Sequence, residues 1–375
     1  MKEFIPKVQN RKVEYIELIY DLIFVYLVGR NCSLLYTTAV GFIIPLDYFS
    51  YMTSTMVALQ IWYLSSIYIN HYGDGSLREH LMMFVNMYLL YYMAEGIRTD
   101  WGPVYVRYHV TWALLLLNMA LHYYLAAHRY PEEDEILRRH RYRRTASLVM
   151  QAFLVLVSIP IYAYTGYALS PWALVFGIAV VFFTRGTERR MLVNFPHLAE
   201  RVMLYMVFTF GEMMLGITGY FNDGFSLHAI YFSLMAFAIV VGLFSSYGYY
   251  YNHLLDEETK TSGLAYMILH IVMIFSLNNI TAAMEFMEKP LVPRLPKTIF
   301  LVVSVLVFFI CLLMTQRYSK FSVGKHRHVY RKFVIGAAVY IAAALLVYRW
   351  DMAGIALTAA FIFKQLYELH FGERD

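Results

Sequence analysis

Apolar runs of about 17 to 25 residues follow one another along the whole chain with only short polar breaks, and this restricts the fold more than any motif does. A run of that length, wound as a helix rising about 1.5 Å per residue, crosses a hydrocarbon core and satisfies its own backbone hydrogen bonds there. Twelve such runs are expected, near residues 13–36, 50–71, 80–97, 104–127, 145–166, 170–185, 199–220, 228–251, 262–284, 297–316, 332–348 and 351–368. Charged residues make up only 15% of the chain and apolar residues 60%, too little charge for a soluble protein of this length. The expected class is an all-α polytopic membrane protein of about twelve transmembrane helices, with no soluble domain.

Basic residues set the expected orientation. The first run is full length and follows Lys2, Lys7, Arg11 and Lys12, which reads as a retained anchor rather than a cleaved signal. With the N-terminus inside, the inner segments hold 23 of the 31 Lys and Arg residues. That asymmetry places both termini on the cytoplasmic side of the inner (plasma) membrane. The net charge of +5 then follows from topology and contact with membrane lipid, and calls for no nucleic acid partner. The 34 Tyr, 27 Phe and 5 Trp suit interfacial belts, as at Tyr249-Tyr250-Tyr251.

A long-period repeat is also visible. Asn70-His71 with Asp74 returns as Asn252-His253 with Asp256, 182 positions on. His140-Arg141-Tyr142-Arg143 returns as His328-Val329-Tyr330-Arg331 after 188 positions. Glu17 with Gly29-Arg30 is echoed by Glu200 with Gly211-Glu212, at offsets of 183 and 182. These matches argue for two six-helix repeats, residues 1–190 and 191–375, in parallel orientation because six is even. Parallel repeats occur in secondary transporters, with sites at the interface of the halves.

The ionisable residues inside the apolar runs are the candidate site. On a helix, Glu14, Glu17 and Asp21 fall within a sector of about 60°, and acids on one stripe of a membrane helix face protein or water. Glu212 lies about 18 Å along the seventh helix from Glu200, with no Lys or Arg within a turn of it. It is a candidate for taking up and releasing a proton. His270 lies about 12 Å into the ninth helix, at a depth similar to Asp21. Glu17, Asp21, Glu212 and His270 are therefore the pathway candidates. Glu14, Asn70, His71, Asp74, Glu200 and Arg201 form a candidate cytoplasmic polar cluster. That cluster reads either as a vestibule or as helix-end ion pairs, Arg201 with Glu17 for instance.

Chemistry beyond this finds little support. No HExxH or GxSxG motif is present, and Cys32 and Cys311 give neither a metal pattern nor a disulfide framework. His109 and His122 have the spacing of a two-haem helix, but no second helix carries a matching pair, so no cofactor or metal is expected.

These residues carry a resemblance. Glu17-Leu18-Ile19-Tyr20-Asp21-Leu22-Ile23-Phe24-Val25 resembles the E-L-F/Y-D-L-V-F-V opening of the bacterial low-temperature-requirement A (LtrA) family of multispanning proteins. Trp62 with Asn70 and Asp74, Glu200-Arg201 followed by Gly211-Glu212, and His270 are similar to later segments of that family. His71, after Asn70, and Val202-Met203, after Arg201, depart from it. The resemblance implies a fold and a membrane location rather than a reaction.

The expected function is a secondary transporter or proton-linked permease for a small solute, not an enzyme. The alternatives are a lipid-binding sensor or structural protein, and a membrane-embedded lipid-modifying enzyme using a Glu/His/Asp group at the inner mouth. The sequence also admits a homo-oligomer. A reporter that fluoresces only in the cytoplasm, fused in turn to each end of the chain, is expected to light up in both fusions. A dark C-terminal fusion would require an odd number of crossings.

Overall fold

A computed structural model describes residues 12–35, 42–97, 102–129, 135–188, 191–221, 224–320 and 326–371. Twelve α-helices fill these residues, with no β-strand among them. They are α1 (Tyr15–Cys32), α2 (Pro45–Tyr72), α3 (Leu77–Ala94), α4 (Tyr105–Arg129), α5 (Glu135–Thr165) and α6 (Ser170–Glu188), then α7 (Phe195–Gly216), α8 (Leu227–Tyr249), α9 (Leu264–Glu288), α10 (Arg294–Thr315), α11 (His326–Val347) and α12 (Asp351–Phe371). Eight of them, α4, α5 and α7–α12, are long and apolar enough to cross a membrane. Twelve crossings were expected; α1, α2 and α3 fall outside the eight. Charge explains this for α1, which carries Glu17, Asp21 and Arg30 within its 18 residues. The described part of α6, Ser170–Thr184, is apolar but short.

The helices sort into two compact units. The first comprises Met1–Thr37, Pro45–Arg201 and Lys260–Leu264, and the second Thr38–Ile44, Val202–Thr259 and Ala265–Asp375. The first therefore holds α1–α6 and the opening turns of α7. Its most extensive helix pair is α4 with α5, and α1 packs on α2 and α3. In the second unit α12 packs chiefly on α8 and α11. There Lys297, fully buried, sits 3.1 Å from Asp351 Oδ2 and donates to Lys289 O at 3.0 Å, which satisfies the C-terminal end of α9.

Local chemistry sets the ends of the helices. At the turn from α2 to α3, Ser76 caps α3 by accepting from Glu79 N, while Glu79 Oε2 accepts from Asp74 N at 2.8 Å and Gly75 N at 2.9 Å. Gly75 supplies the positive φ of 62° that this turn needs. Helix α5 begins ten residues before the expected 145, because the basic run Glu135–Arg144 is made of good helix formers that hydropathy overlooks.

One buried polar pair fixes the α2–α5–α6 contact. Gln151 Nε2 donates to Gln60 Oε1 at 2.9 Å, and the reverse bond measures 3.5 Å. Gly177 of α6 lies directly over them, so that a Cβ there would run into both amides. Gly177→Ala is expected to cost about 1–3 kcal/mol, since the amides must then part or the helix shift. Thermal unfolding in detergent would measure this; an unchanged midpoint would contradict it.

Candidate functional site

The site is built where α1, α2 and the opening turns of α7 meet within the first unit. On α1 the four-residue step from Glu17 to Asp21 puts two carboxylates on one face. On α7 the same step from His197 to Arg201 supplies their partners. Glu17, Asp21 and Arg201 are fully buried and His197 is 2% exposed.

Asp21 is held from several directions. Arg201 Nη2 donates to Asp21 Oδ1 at 2.8 Å and Arg201 Nε to Oδ2 at 2.9 Å, a side-on fork. Trp62 of α2 donates its Nε1 proton to Oδ1 at 2.9 Å. The Arg201 guanidinium lies 5.9 Å from the centre of the Tyr20 ring. Tyr20 carries the polar network onward: its hydroxyl accepts from Asn86 Nδ2 at 3.1 Å, and Asn86 Oδ1 accepts from Asn118 Nδ2 at 2.8 Å.

Glu17 and His197 form a looser pair beside this fork. Glu17 Oε2 is 3.1 Å from His197 Nε2, off the line of a hydrogen bond, and 3.8 Å from Arg201 Nη1. Asn70 fixes the imidazole tautomer. Its Oδ1 accepts from the Asn194 backbone N–H at 2.9 Å, so the other side-chain atom is the amide nitrogen. That nitrogen donates to Asn194 O at 2.9 Å and meets His197 Nδ1 at 3.2 Å. His197 Nδ1 must therefore be the acceptor, and its proton sits on Nε2, toward Glu17. Asn194 also accepts from His197 N through Oδ1 at 3.5 Å, at the start of α7.

The other sequence candidates have their own surroundings. Glu14 is 3.4 Å from His80 and beneath Gly75 at the α2–α3 turn, and exposed Asp74 accepts from Ser76 N within that turn. Glu200 accepts from Val13 N at 3.5 Å. His71 is buried and lines a small cavity with His140 and Arg144. In the second unit, Glu212 is half-buried on α7, without a hydrogen bond or ion pair to another described residue. His270 of α9 is fully buried there; its Nδ1 donates to Tyr266 O at 2.8 Å. Asn252 and His253, the sequence echo of Asn70 and His71, are exposed. No group of His, Cys, Asp and Glu among the described residues could hold a metal ion.

His197 and Asn194 were missed from the sequence, and Trp62 was noted only in the resemblance. The signal for His197 was present: it stands four residues before Arg201, as Glu17 stands four before Asp21.

Stacked apolar helices with a completely buried carboxylate–guanidinium–imidazole cluster define a multi-pass helical membrane protein with a polar interior. Residues 12–363 match the family model of the bacterial low temperature requirement A protein (LtrA), and the chain belongs to that family. No curated protein matches it.

Removing one partner of the fork strands a buried charge. Arg201→Met is expected to lower stability by about 3–5 kcal/mol, whereas Asp21→Leu combined with Arg201→Met should lose less. Denaturation midpoints of the three proteins in detergent would check the order. A double variant less stable than Arg201→Met alone would contradict it.

Proposed function

We propose that the protein is a proton-linked secondary transporter of a small solute in the cytoplasmic membrane, with Glu17 and His197 as its proton-binding pair. Twelve crossings, both termini inside and two parallel repeats belong to the same reading. The observation that carries it is an acid and an imidazole side by side within one buried cluster. Asp21 accepts two hydrogen bonds from Arg201 and one from Trp62, while Glu17 Oε2 stands 3.1 Å from His197 Nε2.

Proton uptake by this pair has a structural consequence. A second proton on His197 would occupy Nδ1, which faces the Asn70 amide donor. Asn70 would have to turn away, and its two bonds to Asn194 would go with it. Protonation is thus coupled to release of the start of α7 from the end of α2, the kind of two-state element that alternating access needs. The Asp21–Arg201 fork, neutral as a pair, holds α1 against α7 while the neighbouring pair changes protonation. Glu212 and His270 are assigned no part in this step.

A second reading has its own support. On α5, Arg138, Arg139, Tyr142 and Arg143 are exposed along one shallow groove, with Arg141 buried 5.6 Å from the Tyr72 ring centre. That groove suits anionic lipid head groups and favours a lipid-binding sensor or structural protein.

Proteoliposomes loaded with a pH dye separate the two readings. With a mixture of small polar solutes supplied on one side, an imposed pH gradient is expected to dissipate at least about tenfold faster with wild-type protein than in protein-free vesicles, a rate effect of the size that positioned proton-transfer groups supply. Glu17→Gln should abolish most of the gain and Glu212→Gln should not. Equal rates in empty and loaded vesicles, with tightly retained anionic lipid, would favour the second reading.

A further inference from the structure

The loop between α8 and α9 does not stay with the helices it joins. Its residues Lys260–Leu264 belong to the first unit, whereas α8 and the rest of α9 belong to the second. Within the first unit this short segment is held at the start of α7. Thr261 O accepts from Val193 N at 3.0 Å, and Thr261 Oγ1 accepts from Gly263 N at 3.2 Å, which closes the segment into a turn.

Gly263 is the residue seated most tightly. It is buried, with a positive φ of 72°. A Cβ on it would come within 2.5 Å of Leu198 Cδ2 and 3.3 Å of Val193 Cγ2. Glycine is therefore required twice, for the backbone angle and for the close approach. Val193 and Leu198 are themselves buried, so neither side chain is free to swing into open space. Ser262, half-buried, lines the same small cavity as His71 at the end of α2.

These contacts fall on the chain neighbours of the site residues. Val193 precedes Asn194, whose backbone N–H and C=O are paired with the Asn70 amide. Leu198 follows His197, whose Nδ1 meets the same Asn70. The start of α7 is thus gripped twice, by Asn70 from α2 and by residues 261–263 from the loop. No linker separates the second grip from the next helix: Gly263 is bonded directly to Leu264, the first residue of α9. A shift at the start of α7 must either draw the first turn of α9 with it or break the Val193–Thr261 bond.

We propose that residues 261–263 are a strap that carries movement of the start of α7 into α9. This deepens the transport reading and rests on it only for the use made of the movement. Release of Asn194 on protonation of His197 then reaches the second unit along the chain itself.

The test reads the strap directly and needs no flux. Full-length Ser262→Cys protein in detergent is labelled with a small maleimide, with and without Asn70→Ala. The native Cys32 and Cys311 are buried, one in each unit, and their labelling reports general unfolding. Asn70→Ala is expected to raise the labelling rate at position 262 by about fivefold or more, the lower end of coupling between linked sites, and to leave Cys32 and Cys311 slow. Linkage is reciprocal, so Gly263→Ala, an independent variant, should speed hydrogen exchange at the Asn194 amide by a comparable factor. Unchanged labelling at position 262, with faster exchange at the Asn194 amide in Asn70→Ala, would overturn the proposal, because the start of α7 then moves without the strap. An equal rise at Cys32 and Cys311 would also overturn it, as general loosening. Absence of proton flux through wild-type protein, together with the rise at position 262, would leave the strap standing and remove its role in transport.

Discussion

The fork between Asp21 and Arg201 is the interaction on which the arrangement of α1, α2 and the start of α7 depends. Removing a carboxylate and a guanidinium from water costs several kcal/mol per ion even after relaxation, and their attraction offsets this only when geometry and surrounding hydrogen bonds are good. Here both carboxylate oxygens accept from Arg201, and one also accepts from Trp62. The aromatic face of Tyr20 lies near the guanidinium. Each of these contacts is a constraint on helix rotation. Turning α1 by one residue, about 100°, would swing Asp21 out of reach and bring an apolar neighbour against Arg201. The pair therefore acts chiefly as a register device, whatever its net contribution to stability.

The Glu17–His197 pair has the opposite character. It shares the burial of the fork but lacks its alignment, and its proton position is dictated by Asn70 rather than by the carboxylate. A forked charge pair beside an acid and an imidazole that are not hydrogen-bonded to each other is a physical basis for one part of a cluster staying fixed while the other changes protonation. The second unit holds a buried ion pair of a more static kind, in which Lys297 is tied both to Asp351 and to the last carbonyls of α9.

Much of the helical pattern was legible, because a membrane helix announces itself by length and hydropathy. What hydropathy hid was chemistry within helices. The acids of α1 and the Tyr and Ser residues of α2 dilute the apolar signal of helices that are nonetheless largely buried. The site was legible in part. Acids at helical spacing pointed to α1, and the Glu200-Arg201 dipeptide pointed to α7. Depth along a helix, however, says nothing about azimuth. His270 was grouped with Asp21 because their depths agree; what its side chain shows within the second unit is an Nδ1–H donated to Tyr266 O one turn back on its own helix. His197 escaped notice because the seventh helix was expected to start near 199, whereas α7 begins at Phe195 and takes His197 into its first turn. Only its bonds to Asn70, and its place one turn before Arg201, give it meaning.

Asn70 ends up imitating a stretch of main chain. Its side-chain amide pairs with both the N–H and the C=O of Asn194, as one strand pairs with another, and does so within a protein whose described residues contain no strand. Such mimicry needs a donor and an acceptor on adjacent atoms at one fixed reach. Aspartate keeps the length but loses the donor, and glutamine keeps both groups but overshoots by a methylene. At this position the fold selects for an identity rather than for a property, so polarity, size or helix preference would each be a poor guide to which replacements the protein can bear.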